Sequence, residues 1–116
     1  MSQANPIQVA LPAGPPPRLL LVEDDLDTAE LIRECLEDHF AEGCVRSVYR
    51  LDEARGVDPR ELDLILSDMN LPDGSGLELL EDMLARRDDL PIVFVTGEGI
   101  LENAIAAIRG GAYDYV

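Results

Sequence analysis

A chain of 116 residues is long enough for one folded domain with its own core, and too short for two. Its hydrophobic fraction of 47% excludes a disordered chain, and its formal net charge of -15 makes nucleic acid and anionic membranes poor partners. All nine basic residues are arginine, so chemistry that needs a lysine requires one from outside these residues.

The first 17 residues differ in composition from the rest. They hold no charged residue and five of the eight prolines, which favours an extended, solvated chain. We therefore predict a disordered Pro-rich leader over residues 1–17 and a single domain over residues 18–116. No apolar run is long enough for a membrane span and no signal-peptide pattern is present, which predicts a cytoplasmic protein. Cys35 and Cys44 are expected to be reduced thiols on apolar faces.

Short runs of consecutive apolar residues predict strands that are buried on both faces, as in a parallel sheet. These runs are Leu19–Val22, Leu64–Leu66 and Ile92–Val95. A weaker strand pattern covers Cys44–Tyr49, and a last strand is predicted to begin near Tyr113.

Amphipathic segments separate the strands and predict helices over residues 27–40, 51–56, 75–87 and 100–109. In the first of these, Asp27 followed by Glu30 predicts a capping box. In the third, Leu77, Leu80 and Leu84 are predicted to form the buried face, with Met83 beside them. The alternation of strands and helices indicates an α/β domain, a doubly wound parallel sheet with right-handed crossovers.

Polar residues follow the predicted strands at the edge where open parallel sheets bind ligands. Glu23 and Asp24 follow the first strand, Asp68 follows the third, and Thr96 follows the fourth. Several carboxylates at one edge repel each other, and a hard divalent cation such as Mg²⁺ or Mn²⁺ relieves that repulsion. A carboxylate beside such an ion can attack a phosphoryl group and form an aspartyl phosphate, with the Thr96 hydroxyl near a phosphoryl oxygen.

The simpler interpretation of acidic residues after strands is that they cap the next helix. That interpretation fits Asp25 and Asp27 best, because both lie where the first helix begins. Asp73 and Gly74 are most simply residues of a turn.

Taken together, these residues resemble the receiver domain of bacterial two-component response regulators, from Arg18 to Val116. The resemblance rests on four motifs in order: Leu-Leu-Leu-Val-Glu-Asp-Asp at 19–25, Ser-Asp-Met-Asn-Leu-Pro-Asp-Gly-Ser-Gly at 67–76, Pro-Ile-Val-Phe-Val-Thr-Gly at 91–97, and Gly-Ala-Tyr-Asp-Tyr-Val at 111–116. It implies a flavodoxin-like (CheY-like) sheet of strand order 2-1-3-4-5.

The resemblance also implies a role for each site residue. Asp68 would be the phosphoacceptor and, with Asp24, a direct ligand of Mg²⁺. Glu23 would bind the ion through water, and Asn70 through its backbone carbonyl. Thr96 would contact the phosphoryl group and act as the switch, and Tyr115 would be the aromatic residue that turns inward when the threonine moves.

The implied partner is a sensor histidine kinase or a phosphotransfer protein, and a homodimer through the helix 4, strand 5 and helix 5 face is also implied. Neither nucleic acid nor membrane is an expected partner of this domain. The protein would be a signalling phosphoacceptor that catalyses only its own phosphorylation and dephosphorylation. Receivers carry a lysine shortly after the switch aromatic, and these residues contain none. We therefore expect strand 5 to be incomplete, helix 5 to be absent here, and the native chain to continue.

Two alternatives remain open from the sequence. A haloacid-dehalogenase-like phosphohydrolase also uses an aspartate and Mg²⁺ after an apolar strand, and Asp25-Leu26-Asp27-Thr28-Ala29 imitates its motif. Its fifth motif position is Ala29 here, and the lysine that this family requires is missing. The other alternative is a receiver-like interaction module that never takes a phosphoryl group.

Overall fold

The computed structural model describes residues 15–95, 100–110 and 114–115 of the chain, and for residues 100, 103, 107, 109, 110, 114 and 115 it describes the backbone only. The elements are β1 Leu19–Val22, α1 Leu26–His39, β2 Val45–Val48, α2 Leu51–Arg55, a 3₁₀ turn Pro59–Glu61, β3 Leu64–Ser67, β4 Asn70–Leu71, β5 Gly74–Ser75, α3 Gly76–Arg86, β6 Ile92–Phe94, α4 Ile100–Gly110 and β7 Asp114–Tyr115. Residues 1–14, most of the predicted leader, lie outside the described residues, so the leader stays a prediction.

The main sheet has five strands in the order β2-β1-β3-β6-β7, and each pairing in it is parallel. Strands β4 and β5 form a separate antiparallel hairpin. With that hairpin left aside, the observed order is the predicted order 2-1-3-4-5. The α/β, flavodoxin-like fold is therefore confirmed.

The core lies on both faces of the sheet because successive residues of a strand point to opposite sides. In β1, Leu20 and Val22 pack in one apolar cluster with residues of α2 and α3. Leu19 and Leu21 pack in the other cluster, with residues of α1 and α4. This two-sided burial is why the strands read as continuous apolar runs instead of alternating ones. None of the described helices is long and apolar enough to cross a bilayer.

Helix α1 begins differently from the prediction. Asp25 is its N-cap residue, so Asp27 lies inside the first turn and does not start a capping box. Glu30 pairs with Arg33 instead of reaching back. A capping box is present in α3 instead, where Ser75 accepts from the Leu77 N–H (3.0 Å) and Glu78 accepts from the Ser75 N–H (3.0 Å).

Two expectations about buried faces were wrong. In α3, Leu77 is 44% exposed, whereas Leu79 and Met83 are fully buried. In α1, Cys35 is exposed and does not join the apolar face, although both cysteines are free thiols as expected. The helices therefore turn a slightly different side to the sheet than the apolar pattern indicated.

Asp73 lies in the turn between β4 and β5, as expected, and it also caps a distant helix. Its two carboxylate oxygens accept the backbone N–H groups of Leu51 (2.7 Å) and Asp52 (3.0 Å) at the start of α2. Such N–H groups have no partner within their own helix. The bond from Leu51, followed by that from Asp52, holds the pKa of the Asp73 carboxyl below its usual range.

We expect Asp73→Asn to lower the thermal midpoint of unfolding by a few degrees at pH 7, because the amide offers one acceptor oxygen where the carboxylate offers two. The folded pKa of Asp73 is lowered, so its contribution is complete above the unfolded pKa of about 3.9 and is lost as pH falls through the folded value. The difference in thermal midpoint between Asp73→Asn and the natural sequence should therefore be constant near neutral pH and should disappear in acid. This is checked by monitoring thermal unfolding with circular dichroism at a series of pH values from 7 downwards. Asp38→Asn, on the exposed surface of α1, is the control. A difference that persists unchanged in acid would contradict the assignment.

Candidate phosphoryl and metal site

Strands β1 and β3 are neighbours in the sheet, and their last residues, Val22 and Ser67, face each other in register. The backbone ladder continues one residue further, because the Asp68 N–H donates to the Val22 carbonyl (2.9 Å) and the Glu23 N–H donates to the Val48 carbonyl (3.1 Å). Residues that follow these two strands are therefore held at one edge by the sheet itself.

Three carboxylates meet at this edge. Glu23, Asp24 and Asp68 each place an oxygen within 4.8 Å of the other two. Glu23 is buried, Asp68 is half-buried and Asp24 is exposed, so the cluster has a closed floor and an open mouth. The sequence prediction that these three acids converge is confirmed as geometry.

The cluster carries more negative charge than its protein neighbours neutralise. Burial raises the pKa of the Glu23 carboxyl, and the nearby Asp68 raises it further, against a hydrogen bond from the Asp25 N–H to Glu23 Oε2 (3.1 Å). Among the ion pairs of the described residues, none includes Glu23, Asp24 or Asp68. A set of oxygen ligands with unbalanced negative charge fits a hard divalent cation.

Asp68 begins the loop that leads through the β4–β5 hairpin into α3. Its Oδ1 accepts a long hydrogen bond from the Asn70 N–H (3.4 Å), and its backbone carbonyl accepts from Ser67 Oγ (2.9 Å). Asn70 is thus placed beside the carboxylate of Asp68, at the first position of β4. The role of the Asn70 backbone carbonyl as a metal ligand stays a prediction.

The structure describes the two predicted switch residues, Thr96 and Tyr115, only in part. Thr96 lies outside the described residues, although β6 runs beside β3 and the Val95 N–H donates to the Ser67 carbonyl (2.9 Å). Tyr115 lies in β7, where its backbone is in register with Phe94, and its side chain is outside the described part. Their roles therefore stay predictions.

Gly76 is packed closely against the site, and no pattern in the sequence predicted this. A Cβ at this position would lie 2.6 Å from the carbonyl oxygen of Asp68 and 2.8 Å from the ring of Phe94. Gly76 also donates its N–H to the carbonyl of Met69 (2.8 Å). The start of α3 is thus pressed against the backbone of Asp68, the half-buried member of the carboxylate cluster.

Comparison with known proteins points to one family. The model of the response regulator receiver domain matches residues 19–116. The chain is 38% identical over 100 residues to the response regulator protein PilR of Pseudomonas aeruginosa, covering 85% of the chain and 22% of PilR. It is 37% identical over 103 residues to the cell cycle transcriptional regulator CtrA of Caulobacter vibrioides, covering 85% of the chain and 42% of CtrA. The chain belongs to the receiver domain family of response regulators.

Solved receiver structures agree with this assignment. The non-phosphorylated HemR receiver domain from Leptospira biflexa superposes with a TM-score of 0.67 at 33% identity, covering 86% of this chain and 80% of that one. A CheY-like receiver domain protein from Methanospirillum hungatei gives a TM-score of 0.64 at 31% identity, with coverage of 87% and 82%. The chain therefore spans most of a single receiver domain. It spans about a fifth of the length of PilR and about two-fifths of the length of CtrA.

As a receiver domain, the chain is a component of two-component, phosphorelay signalling. Its geometry gives no support to the phosphohydrolase alternative. The carboxylate of Asp25, which would be the nucleophile of that motif, accepts from the Thr28 hydroxyl at the start of α1. It is not a member of the three-carboxylate cluster.

Proposed function

We propose that Asp68 accepts a phosphoryl group from the phosphohistidine of a sensor kinase or phosphotransfer protein. The observation that carries the proposal is the convergence of Glu23, Asp24 and Asp68 within 4.8 Å at the edge of the sheet. Of the two acids that are not buried there, Asp68 is the one fixed at both ends, by the ladder to Val22 and by the loop to α3. A rigid, accessible carboxylate is the requirement for a nucleophile.

The reacting groups of the transfer are the carboxylate of Asp68 and the phosphohistidine of the donor protein. A carboxylate oxygen of Asp68 forms a bond to phosphorus, and the bond from phosphorus to the donor's imidazole nitrogen breaks. The electron pair of that bond returns to the imidazole, which takes a proton from solvent. The domain changes only its own phosphorylation state, so we class it as a signalling phosphoacceptor.

The proposed ion is Mg²⁺, with Mn²⁺ as a substitute, and the residues present fit it. Asp24 and Asp68 would bind it directly, Glu23 through water, and Asn70 through its backbone carbonyl. A bound divalent cation offsets the charge that builds up on the phosphoryl oxygens. Glu23 suits the outer position because it is buried and its Oε2 is already occupied by the Asp25 N–H.

For signal output, we propose that Thr96 contacts the phosphoryl group and that Tyr115 follows its movement. Phosphorylation adds about -1.5 to -2 charge units at the edge of the sheet, and a nearby hydroxyl is drawn toward them. We propose the cytoplasm as the site of action and a homodimer through the α4–β7 side as a further partner. The net charge of -15 supports the proposal that this domain does not bind nucleic acid.

Incubation of the protein with acetyl phosphate and Mg²⁺ tests the proposed function. We expect the intact mass to rise by one phosphoryl group, and the gain to disappear when EDTA removes the ion. Absence of any gain, together with no binding of beryllofluoride, would favour the interaction module that is never phosphorylated.

We also expect Mg²⁺ to raise the thermal midpoint of unfolding, because an ion that binds only the folded state stabilises it. At a concentration of one hundred times its Kd the gain is about 2.7 kcal/mol. Asp24→Asn should remove most of this Mg²⁺-dependent rise while leaving the midpoint without Mg²⁺ unchanged or higher, since one of three repelling charges is gone. Glu34→Gln, at an exposed position of α1, should retain the full rise. Differential scanning fluorimetry measures the midpoint with and without Mg²⁺. If Mg²⁺ raised the midpoint equally in the natural sequence and in both variants, the ion would bind elsewhere.

A further inference from the structure

The hairpin that follows Asp68 is tied to α2 through Asp73. The N–H groups of Leu51 and Asp52 donate to Asp73 Oδ1 (2.7 Å) and Oδ2 (3.0 Å), across 22 and 21 residues of sequence. Arg50 Nη2 lies 3.9 Å from Oδ2 and adds charge attraction. Both oxygens of one carboxylate are thus used to hold two distant segments together.

The same hairpin carries groups of the phosphoryl site. Its β4 strand begins at Asn70, which pairs with Ser75 and whose N–H donates to Asp68 Oδ1 (3.4 Å). The base of the loop is closed by the bond from the Gly76 N–H to the Met69 carbonyl (2.8 Å). Asp73 is at the other end of the loop, in the turn, where no strand of the main sheet supports it. Its two bonds to α2 therefore restrain how the hairpin is oriented over the site.

Packing restricts the same contact to one geometry. A Cβ on Gly74 would collide with the side chain of Leu51, so the turn lies directly against the first residue of α2. Leu51 itself is buried in the core together with Leu71 of β4. Any rotation of the hairpin away from α2 would break the carboxylate bonds and open this contact.

We propose that Asp73 is a positioning residue for the phosphoryl site: by holding the hairpin on α2, it fixes Asn70 and the carboxylate of Asp68 opposite Glu23 and Asp24. This proposal rests on the proposed function of those residues. It assigns to Asp73 no contact with the ion or with the phosphoryl group.

A structural cap elsewhere in the chain provides a matched control. Asp58 is the N-cap of the 3₁₀ turn, and its Oδ1 accepts from the Arg60 N–H (3.0 Å). It is the same residue type and it also caps backbone, although it accepts one backbone N–H, within its own turn, and pairs with the Arg60 side chain. However, its turn leads into the beginning of β3, whereas the phosphoryl site is at the end of that strand. Loss of Asp58 therefore reports the effect of losing a cap without disturbing the hairpin.

The experiment compares Asp73→Ala, Asp73→Asn and Asp58→Ala with the natural sequence, all measured below their unfolding transitions. Mg²⁺ affinity is measured by titration calorimetry, and backbone amide spectra are recorded without the ion. We expect Asp73→Ala to weaken Mg²⁺ binding roughly tenfold, no more than the smallest loss seen when a residue that bonds a metal ligand directly is removed, because Asp73 acts only through the hairpin. Asp73→Asn should recover part of the loss because it keeps one acceptor oxygen. Asp58→Ala should bind Mg²⁺ like the natural sequence.

The amide spectra provide a readout that does not depend on the ion. In Asp73→Ala the signals of Asp68 and Asn70 should shift together with those of Leu51 and Asp52, whereas in Asp58→Ala none of the four should move. If the Leu51 and Asp52 signals move alone and Mg²⁺ affinity is unchanged, Asp73 is only a helix cap and the proposal is overturned.

Failure of the proposed function gives a different result. If the natural sequence neither binds Mg²⁺ nor takes a phosphoryl group, the function of the site is wrong. The shift of the Asp68 and Asn70 signals in Asp73→Ala still decides whether Asp73 holds the hairpin in place.

Discussion

Asp68→Asn is expected to abolish phosphoryl transfer from acetyl phosphate while leaving the domain folded. The amide is close in size to the carboxylate but is not a nucleophile toward phosphorus, so no bond to the phosphoryl group can form. Asp68 is half-buried, and its removal takes one charge from a repelling cluster of three, so the thermal midpoint should stay equal or rise. Intact mass spectrometry after incubation with acetyl phosphate and Mg²⁺ measures the transfer, which should fall to background.

The matched control for this variant is Asp25→Asn. Asp25 also follows an apolar strand, but its carboxylate bonds to the Thr28 hydroxyl and is not a member of the cluster. We expect Asp25→Asn to accept the phosphoryl group at a rate close to that of the natural sequence. The reverse result, with transfer lost in Asp25→Asn and kept in Asp68→Asn, would support the phosphohydrolase chemistry instead.

The positions of the strands along the chain and their burial could be predicted because their signal is local. Leu19–Val22 and Leu64–Leu66 are continuous apolar runs, and these are the central strands of the sheet, covered by helices on both faces. The convergence of Glu23, Asp24 and Asp68 followed from the same reasoning, since parallel strands end at one edge. The strand order 2-1-3-4-5 came from the family resemblance, because apolar runs do not say which strands are neighbours.

The details of helix α3 could not be predicted from its pattern. Leu77, Leu80 and Leu84 are spaced as well for a buried face as Leu79, Leu80 and Met83, which are the buried residues. The choice between them depends on where the helix begins and how it is rotated. The capping box at Ser75 marks the start, and the close contact of Gly76 with the backbone of Asp68 restricts the rotation, a tertiary contact that no spacing rule encodes.

The role of Asp73 shows the same limit at the site. The dipeptide Asp73-Gly74 predicts a turn, and a turn is present. The hydrogen bonds to Leu51 and Asp52 cross more than 20 residues, and they exist only because the sheet brings the end of β2 and the loop after β3 to the same edge. A local sequence pattern can identify a cap for its own helix, but not for one that lies so far away along the chain.

Gly76→Ala is expected to destabilise the domain by about 1–3 kcal/mol, the usual cost of adding a methyl group to a fully packed position. The added Cβ would lie 2.6 Å from the Asp68 carbonyl oxygen, 2.8 Å from Cε1 of Phe94 and 3.2 Å from Cα of Met69. Two of these atoms are backbone, and Phe94 is fully buried, so none of the three can move aside cheaply. Alanine is favoured over glycine within a helix by about 1 kcal/mol, and this gain is smaller than the clash and offsets only part of it.

The same substitution at Gly56 provides the control. Gly56 ends α2, has no positive φ, and a Cβ there would lie 3.4 Å from the Glu53 carbonyl, which is an ordinary contact. Urea unfolding should therefore give Gly56→Ala a stability within about 0.5 kcal/mol of the natural sequence, and Gly76→Ala a clearly lower one. Gly76→Ala should also weaken Mg²⁺ binding, because the atom that must yield belongs to the backbone of Asp68. Equal stability of the two variants would show that the start of α3 can move without cost, and that α3 does not fix the position of Asp68.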